Sequence, residues 1–276
     1  IEAALHRAWR ILIPDLTIQD AGFCLYAFGK LGGEELNYSS DVDLLASYND
    51  ESIAFSQTTE QPELRFGTVV EEVRRALSEY TSNGYVYRVD LRLRPYGSAG
   101  GLVHSGKVLI EYYENQAEHW EHQALIKLRP VAGDIETGRA FKEQITRLLR
   151  QPWSEDEVIE SIRHLRELAS DRGSPIGRGI DLKNGKGGIR DIEFLAQGLQ
   201  LLYAHARASL IEENSIKAID RLREAGILSN RVAETLSDDY RYLRKIEHFL
   251  QLLEDRSIHA LPTEQSELLA LAKRIL

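Results

Sequence analysis

The chain has 276 residues, 43% of them hydrophobic and 28% charged, which is typical of a globular protein and long enough for two domains. Its formal net charge of −9 argues against a nucleic-acid substrate, because binding a polyanion requires a basic surface. No apolar stretch approaches the ~20 residues of a membrane span and no signal peptide is visible, so we expect a cytoplasmic protein without a membrane partner.

The first predicted elements are a helix and a buried strand. Residues 1–12 have an apolar stripe and stop before Pro14, as a helix does ahead of a proline. The apolar run 23–28 is typical of a buried strand. It contains the only cysteine, Cys24, which excludes an internal disulfide and which we interpret as core packing in a reducing compartment.

Three glycines in five residues end that strand, and a second apolar strand begins with two aspartates. The glycines are Gly29, Gly32 and Gly33, and the aspartates are Asp41 and Asp43. Alternate residues of a strand share a face, so the two carboxylates lie on one face, about 6.6 Å apart at the backbone. Like charges so close repel each other, which predicts a divalent cation between them.

A third acid lies in an alternating stretch over residues 85–95, after a helical stripe that starts at Phe66. The alternation predicts a strand with one buried face. Its polar face consists of Arg88, Asp90, Arg92 and Arg94. A solvated face is the simpler interpretation of such a strand by itself. Together with the aspartate pair, however, the acid would complete a two-metal site, and the arginines would bind phosphate oxygens bidentately.

The region up to residue 150 predicts a glycine-rich loop and further helices. The loop 95–101 is either a connector or a place where backbone amides approach phosphate. Lys127 and Arg129 share a face if their segment is extended, and on the residues alone we interpret both as solvated. Asp134 is placed to cap the helix that follows it.

The second half of the chain is helical in its pattern. Residues 151–154 mark the best boundary, so we assign 1–152 to an α+β domain with a mixed sheet and flanking helices, and 153–276 to an all-α helical bundle. Asp191 and Glu193 follow a glycine break and lie in the first turn of a predicted helix. The helix dipole explains acids there without any functional role.

The glycine turn does not match two familiar phosphate-binding patterns. The kinase phosphate-binding loop requires Ser or Thr after its lysine, whereas Leu31 follows Lys30. The dinucleotide pattern GxGxxG is also missing from this stretch.

The turn and the acids instead resemble the nucleotidyltransferase superfamily of DNA polymerase beta. Four longer strings resemble the glutamine synthetase adenylyltransferase family within it: GKLGGEELNYSSDVDL (29–44), RVDLRLRPYG (88–97), WEHQALIKLRPVAGD (120–134) and DLKNGKGGIRDIEF (181–194). The resemblance runs from about Gly22 to about Pro262. It implies a nucleotidyltransferase-type mixed sheet followed by a helical bundle.

The resemblance also implies a site. Asp41, Asp43 and Asp90 would be the catalytic acids and would hold two Mg²⁺ ions. The nucleotide and phosphate contacts would come from Gly29, Lys30, Ser39, Ser40, Arg92, Arg94, Lys127, Lys183 and Arg190. Of these, Lys183 and Arg190 would be the bundle's contribution.

The implied activity is the transfer of AMP to, or its removal from, a tyrosine of glutamine synthetase, with ATP, ADP and phosphate as substrates or products and the PII signal protein as a second partner. The strings around Asp90 and Arg190 resemble the amino-terminal, AMP-removing half of the family, which favours removal. Two alternatives stay open: a uridylyltransferase of PII signal proteins, and a non-catalytic module that docks glutamine synthetase or PII.

Overall fold

The computed structural model describes residues 1–51, 61–171, 179–254 and 260–275. The chain divides into two compact units. The first consists of Ile1–Leu36 and Ser40–Leu149, and the second of Asn37–Ser39 and Arg150–Leu276. The predicted assignment of domain functions to 1–152 and 153–276 stays a prediction.

The first unit alternates helices with short strands. Its elements are α1 Glu2–Leu12, α2 Ile18–Ala21, β1 Cys24–Ala27, α3 Gly29–Gly32, β2 Val42–Tyr48, α4 Pro62–Ser78, β3 Val89–Asp90, β4 Val103–Ser105, α5 Gly106–Asn115, α6 His119–Leu125, β5 Arg129–Gly133 and α7 Ile135–Leu149.

Over the described residues, these strands form one five-stranded mixed sheet. The order is β3-β2-β1-β5, and β4 also pairs with β2. β1 runs antiparallel to β2 and β5, whereas β3 and β4 both run parallel to β2. β3 pairs with the start of β2 and β4 with its end. A mixed sheet with flanking helices confirms the predicted α+β fold.

An aromatic cluster fixes helices α1 and α4 on the sheet. The Phe66 ring lies 5.3 Å from Trp9, 5.5 Å from Phe23 and 5.2 Å from Tyr48, measured between ring centroids. All four side chains are buried. Aromatic pairs at these separations add to the stabilisation that burial provides. The core of the first unit therefore lies under the strand β2 that carries Asp43.

The predicted strand over 85–95 is wrong beyond its centre, because only Val89–Asp90 pairs with the sheet. After Asp90 the chain turns: the backbone N–H of Arg92 donates to Oδ1 of Asp90 at 2.8 Å. An aspartate that accepts from the backbone two residues later competes with strand pairing. Before Val89, the N–H groups of Val86 and Tyr87 donate to the Leu77 carbonyl at the end of α4 instead of to a strand.

The second unit is helical, as the sequence predicts. Its elements are α8 Glu155–Asp171, α9 Ile189–Ala204, α10 Ser215–Glu224, α11 Asn230–Glu254 and α12 Gln265–Ile275. Its main buried cluster includes Ile189, Ile192, Leu222 and Tyr240 from α9, α10 and α11. None of the helices in the described part of the chain has the length and apolar character that a membrane crossing needs.

A glycine in α7 provides a test of how closely that helix packs on the sheet. A Cβ at Gly138 would lie 2.5 Å from Sγ of Cys24 and 2.8 Å from Cβ of Pro130. Overpacking of this kind predicts that Gly138→Ala lowers the free energy of unfolding by about 1–3 kcal/mol. Urea denaturation measures this.

The matched control is Gly67→Ala in α4, where the nearest atom to a new Cβ is Cβ of Leu102 at 4.0 Å. Because glycine is unfavourable inside a helix, Gly67→Ala should be neutral or stabilising by up to about 1 kcal/mol. Equal effects of the two substitutions would contradict the packing argument.

Candidate active site

Two carboxylates meet where β2 and β3 pair. The strands are parallel, with Val42 opposite Val89 and Asp43 opposite Asp90. Neighbouring strands lie about 4.8 Å apart, and residues opposite each other project to the same face. The structure therefore brings together Asp43 and Asp90, which are 47 positions apart in sequence and both half-buried.

The third acid, Asp41, lies one residue before β2 and is exposed. Nε of Arg88 donates to Oδ1 of Asp41 at 2.5 Å, and Nη1 of Arg88 donates to the Tyr85 hydroxyl at 3.0 Å. The backbone of the same segment is held as well, since the N–H of Val42 donates to the Arg88 carbonyl at 2.8 Å. Arg88 thus fixes both the position and the charge balance of Asp41.

A second arginine balances Asp90. Nε of Arg92 lies 3.0 Å from each oxygen of the Asp90 carboxylate, and its Nη2 also donates to Oδ2. The pKa of Arg92 is raised, first by the hydrogen bond to Asp90 and its charge, and further by the charges of Asp43 and Asp41. All three acids are therefore within electrostatic reach of one guanidinium, whose side chain is 62% exposed.

The donor chemistry of these acids fits magnesium, which prefers carboxylate oxygens. Asp43 and Asp90 present such oxygens from neighbouring strands. Within the described ranges, no three histidine, cysteine or acidic side chains are arranged as a metal site. Asp41 and Asp90 instead form ion pairs with Arg88 and Arg92.

The glycine turn lies directly against the Asp43 carboxylate. The sequence predicts a loop here, and the structure contains the single-turn helix α3. Gly29 has φ +53°, and a Cβ on it would lie 2.8 Å from Oδ2 of Asp43. The N–H of Phe28 donates to the Asp43 carbonyl at 3.0 Å. Left-handed backbone and so close an approach both require glycine. Gly29 is therefore the residue at which the turn lies against the Asp43 carboxylate.

The interpretation of Lys127 and Arg129 as solvated is wrong. Nζ of Lys127 donates to Oε2 of Glu35 at 2.6 Å, with 6% and 7% of the two side chains exposed. Arg129 donates to two carbonyls of the glycine turn, Leu31 at 2.7 Å and Gly32 at 2.9 Å. The cause is that α6 ends at Leu125 and the chain then passes close to the glycine turn before β5 begins. Both side chains support the turn.

Arg94 is separated from Arg92 by the turn that follows Asp90. It donates to the carbonyl of Leu91 and, at 3.3 Å from Nη2, to that of Gly100. Burial lowers the pKa of its guanidinium. Arg94 therefore holds the loop after β3, and its predicted role in binding phosphate stays a prediction.

The remaining predicted phosphate contacts lie in both units. Lys30 is in α3 and Ser40 is in the first unit, whereas Ser39 is buried and belongs to the second unit. Lys183 and Arg190 also belong to the second unit, where the N–H of Arg190 donates to the Lys183 carbonyl at 3.1 Å. The roles of these residues in binding phosphate stay predictions.

The acids beside Arg190 have structural partners. Asp191 forms an ion pair with Arg166 and accepts from the Gly187 N–H at 2.8 Å. Glu193 accepts from the Tyr240 hydroxyl at 2.9 Å. The interpretation of a residue in the first helical turn is confirmed for Asp191, whereas Glu193 lies beyond that turn, because α9 begins at Ile189.

Two contacts that organise the site do not follow from the sequence pattern. The pattern predicts a phosphate contact for Arg88 but not its ion pair with Asp41, and nothing in it marks Glu35. The partner of Arg88 is 47 positions away and that of Glu35 is 92 positions away. An arginine one residue before a paired strand, near an aspartate pair, is the available signal for Arg88.

Two family models match different parts of the chain. A family model described as glutamate-ammonia ligase adenylyltransferase matches residues 1–144. A second, described as GlnD PII-uridylyltransferase, matches residues 159–275. The boundary between the two matches lies close to the boundary between the two compact units.

Among curated proteins, the chain is similar to several named bifunctional glutamine synthetase adenylyltransferase/adenylyl-removing enzyme. It is 37% identical to that of Xanthomonas campestris, 35% to that of Pseudomonas syringae and 33% to that of Rhizobium meliloti. The matches cover 95%, 88% and 97% of this chain but 28%, 25% and 28% of the relatives. The chain thus spans about a quarter of the length of the curated relatives it matches.

The buried pair beneath the glycine turn generates a prediction. Glu35→Gln removes the carboxylate that lies 2.6 Å from the buried Lys127 ammonium, so we expect the free energy of unfolding to fall by about 3 kcal/mol. Chemical denaturation measures the loss. As a control, Glu71→Gln removes one member of the exposed pair with Arg74 and should change stability little. A similar loss in both variants would mean that burial does not set the strength of the Glu35 pair.

Proposed function

Because the chain belongs to the glutamate-ammonia ligase adenylyltransferase family, we propose that it catalyses nucleotidyl transfer at a tyrosine of glutamine synthetase, in the direction that removes AMP. The name of the relatives includes both an adenylyltransferase and an adenylyl-removing enzyme. This chain spans about a quarter of their length. The direction proposed rests on the segments around Asp90 and Arg190, which resemble the AMP-removing half.

One observation carries the proposal: Asp43 and Asp90 are paired in register on parallel strands, with Gly29 against the Asp43 carboxylate. Two acids and a glycine turn in contact form a place where phosphate oxygens can be bound next to carboxylates. An arrangement made only for stability would not place two carboxylates side by side, because their repulsion has to be offset by other charges.

In the proposed reaction, an oxygen of inorganic phosphate forms a bond to the phosphorus of AMP while the bond from that phosphorus to the tyrosine oxygen breaks. The products are ADP and a tyrosine whose hydroxyl oxygen takes up the proton that the phosphate loses. Arg88 and Arg92 carry partly exposed guanidinium groups next to the acids, and such groups bind phosphate oxygens bidentately. They would orient the phosphate and offset its charge.

Magnesium, held by Asp41, Asp43 and Asp90, would supply further neutralisation of phosphate charge. The register of β2 and β3, which puts Asp43 opposite Asp90, supports this assignment. The contribution of the chain itself is to hold the two carboxylates side by side and to keep Gly29 against that of Asp43. The roles of Lys30, Ser39 and Ser40 belong to the same proposal, as contacts to the nucleotide.

The direct test of the reaction is release of ADP. Incubation of the chain with adenylylated glutamine synthetase, phosphate and Mg²⁺ should produce ADP and unmodified synthetase. Coupled-enzyme detection of ADP and the mass of the synthetase subunit measure the two products. Transfer of AMP from ATP to unmodified synthetase, without ADP release from the adenylylated form, would reverse the direction.

The acid pair generates a second prediction. Asp43→Asn removes one charge at the centre of the site and should lower the turnover number by about two orders of magnitude or more. The fold should survive, since a neutral amide of the same shape relieves repulsion with Asp90. The control is Asp238→Asn on the exposed side of α11, which should retain full turnover. Unchanged turnover in Asp43→Asn would remove the basis of the proposal.

Uridylyl transfer to a PII signal protein is a second candidate, favoured by the family model that matches residues 159–275. Nucleotide choice separates the two, because a ligand that binds the folded state raises the melting temperature. With Mg²⁺ present, we expect ADP and ATP to raise it by more than UTP at equal concentration. Stronger protection by UTP would favour the uridylyl reaction.

A further inference from the structure

We infer that Arg129 is a positioning residue, which holds the glycine turn in the conformation that receives the nucleotide's phosphates. The inference rests on the proposed function, since it assigns a role in that same site. Arg129 makes its contacts with the turn itself, at the Leu31 and Gly32 carbonyls, and lies 3.9 Å from the Glu34 carboxylate that follows it.

The position of Arg129 follows from the sheet. β5 runs antiparallel to β1, and Arg129 at its start is opposite Ala27, the last residue of β1. The glycine turn begins two residues after Ala27. This register places the Arg129 side chain, on the strand adjacent to β1, next to the turn. The side chain is partly buried there.

The contact is a fork on two successive carbonyls. Nη2 donates to the Leu31 carbonyl at 2.7 Å and Nε to the Gly32 carbonyl at 2.9 Å. Carbonyls at the end of a helical turn carry partial negative charge, and the Leu31 carbonyl also accepts from the Glu34 N–H at 3.3 Å. A planar guanidinium satisfies two of them at once with charged donors, which fixes their orientation as well as their position.

Two further contacts surround the fork. The backbone of Gly32 approaches the Lys127 carbonyl so closely that a Cβ on it would lie 1.9 Å from that oxygen. Beyond the turn, Glu35 is held by the buried ion pair with Lys127. Residues 127–129 thus hold the end of the turn, and the start of the turn lies against Asp43 at Gly29.

The fork also acts on the start of the turn, which meets Asp43. The peptide planes that carry the two bound carbonyls also carry the N–H groups of Gly32 and Gly33, which donate to the Phe28 and Gly29 carbonyls at 2.9 and 3.0 Å, so orienting one end of each plane orients the backbone at the start of the turn. A turn held in place before the ligand arrives binds it without the cost of reorganisation. Lysine would not replace Arg129, because a single ammonium on a flexible stem does not reproduce the planar fork.

The test compares nucleotide affinity with stability in Arg129→Lys and Arg129→Gln. Isothermal titration at a temperature well below the melting point of each variant measures the Kd for ADP with Mg²⁺. We expect both variants to bind ADP about tenfold more weakly than the unmodified chain. The KM values for phosphate and for adenylylated synthetase and the turnover number are measured in parallel. The loss of ADP affinity should exceed any change in affinity that the matched control shows.

The matched control is Arg139→Lys, an exposed arginine on α7 of the same unit, which should bind ADP like the unmodified chain. If both Arg129 variants melt at a lower temperature but bind ADP with unchanged Kd, Arg129 has only a structural role and the inference is wrong. If the unmodified chain itself binds no ADP or ATP, the proposed function fails first. The two failures are therefore distinguishable.

Discussion

The structure of the site depends on one constraint, the close approach of two like charges. Asp43 and Asp90 occupy opposite positions on neighbouring parallel strands, so their carboxylates project to the same face and repel each other. Arg92 offsets this repulsion through its ion pair with Asp90, two residues away, and Arg88 balances the third acid, Asp41, 47 positions away. The turn after Asp90 also ends β3 at two residues, which leaves the Arg92 guanidinium exposed beside the acids.

The glycine turn meets this charged centre from the side of β1. Gly29 and Gly32 serve two different purposes within four residues. Gly29 brings left-handed backbone against a carboxylate, whereas Gly32 allows a neighbouring carbonyl to approach from the opposite side. Arg129 and the buried Lys127–Glu35 pair hold that opposite side. The same short segment is therefore held by charged contacts at its end, at Leu31 and Gly32, and lies against Asp43 at its start, at Gly29.

The two compact units have separate cores, and the comparisons divide along nearly the same line. The first unit builds its core from aromatic residues between α1, α4 and the sheet. The second builds its core between α9, α10 and α11. Residues 1–144 match one family model and residues 159–275 another. In this chain, the mixed-sheet unit and the helical unit each have their own packing and their own family match.

The sequence by itself determined the buried strand β1, the glycine turn, the aspartates at the start of β2 and the helical second half, because these depend on local periodicity and on residues with special backbone freedom. Only the tertiary structure decided that β3 ends at Asp90 and that Lys127 is buried against Glu35. The first is decided by a side chain that competes for backbone donors, and the second by a partner 92 positions away. Alternation shows which residues share a face but not what lies opposite them.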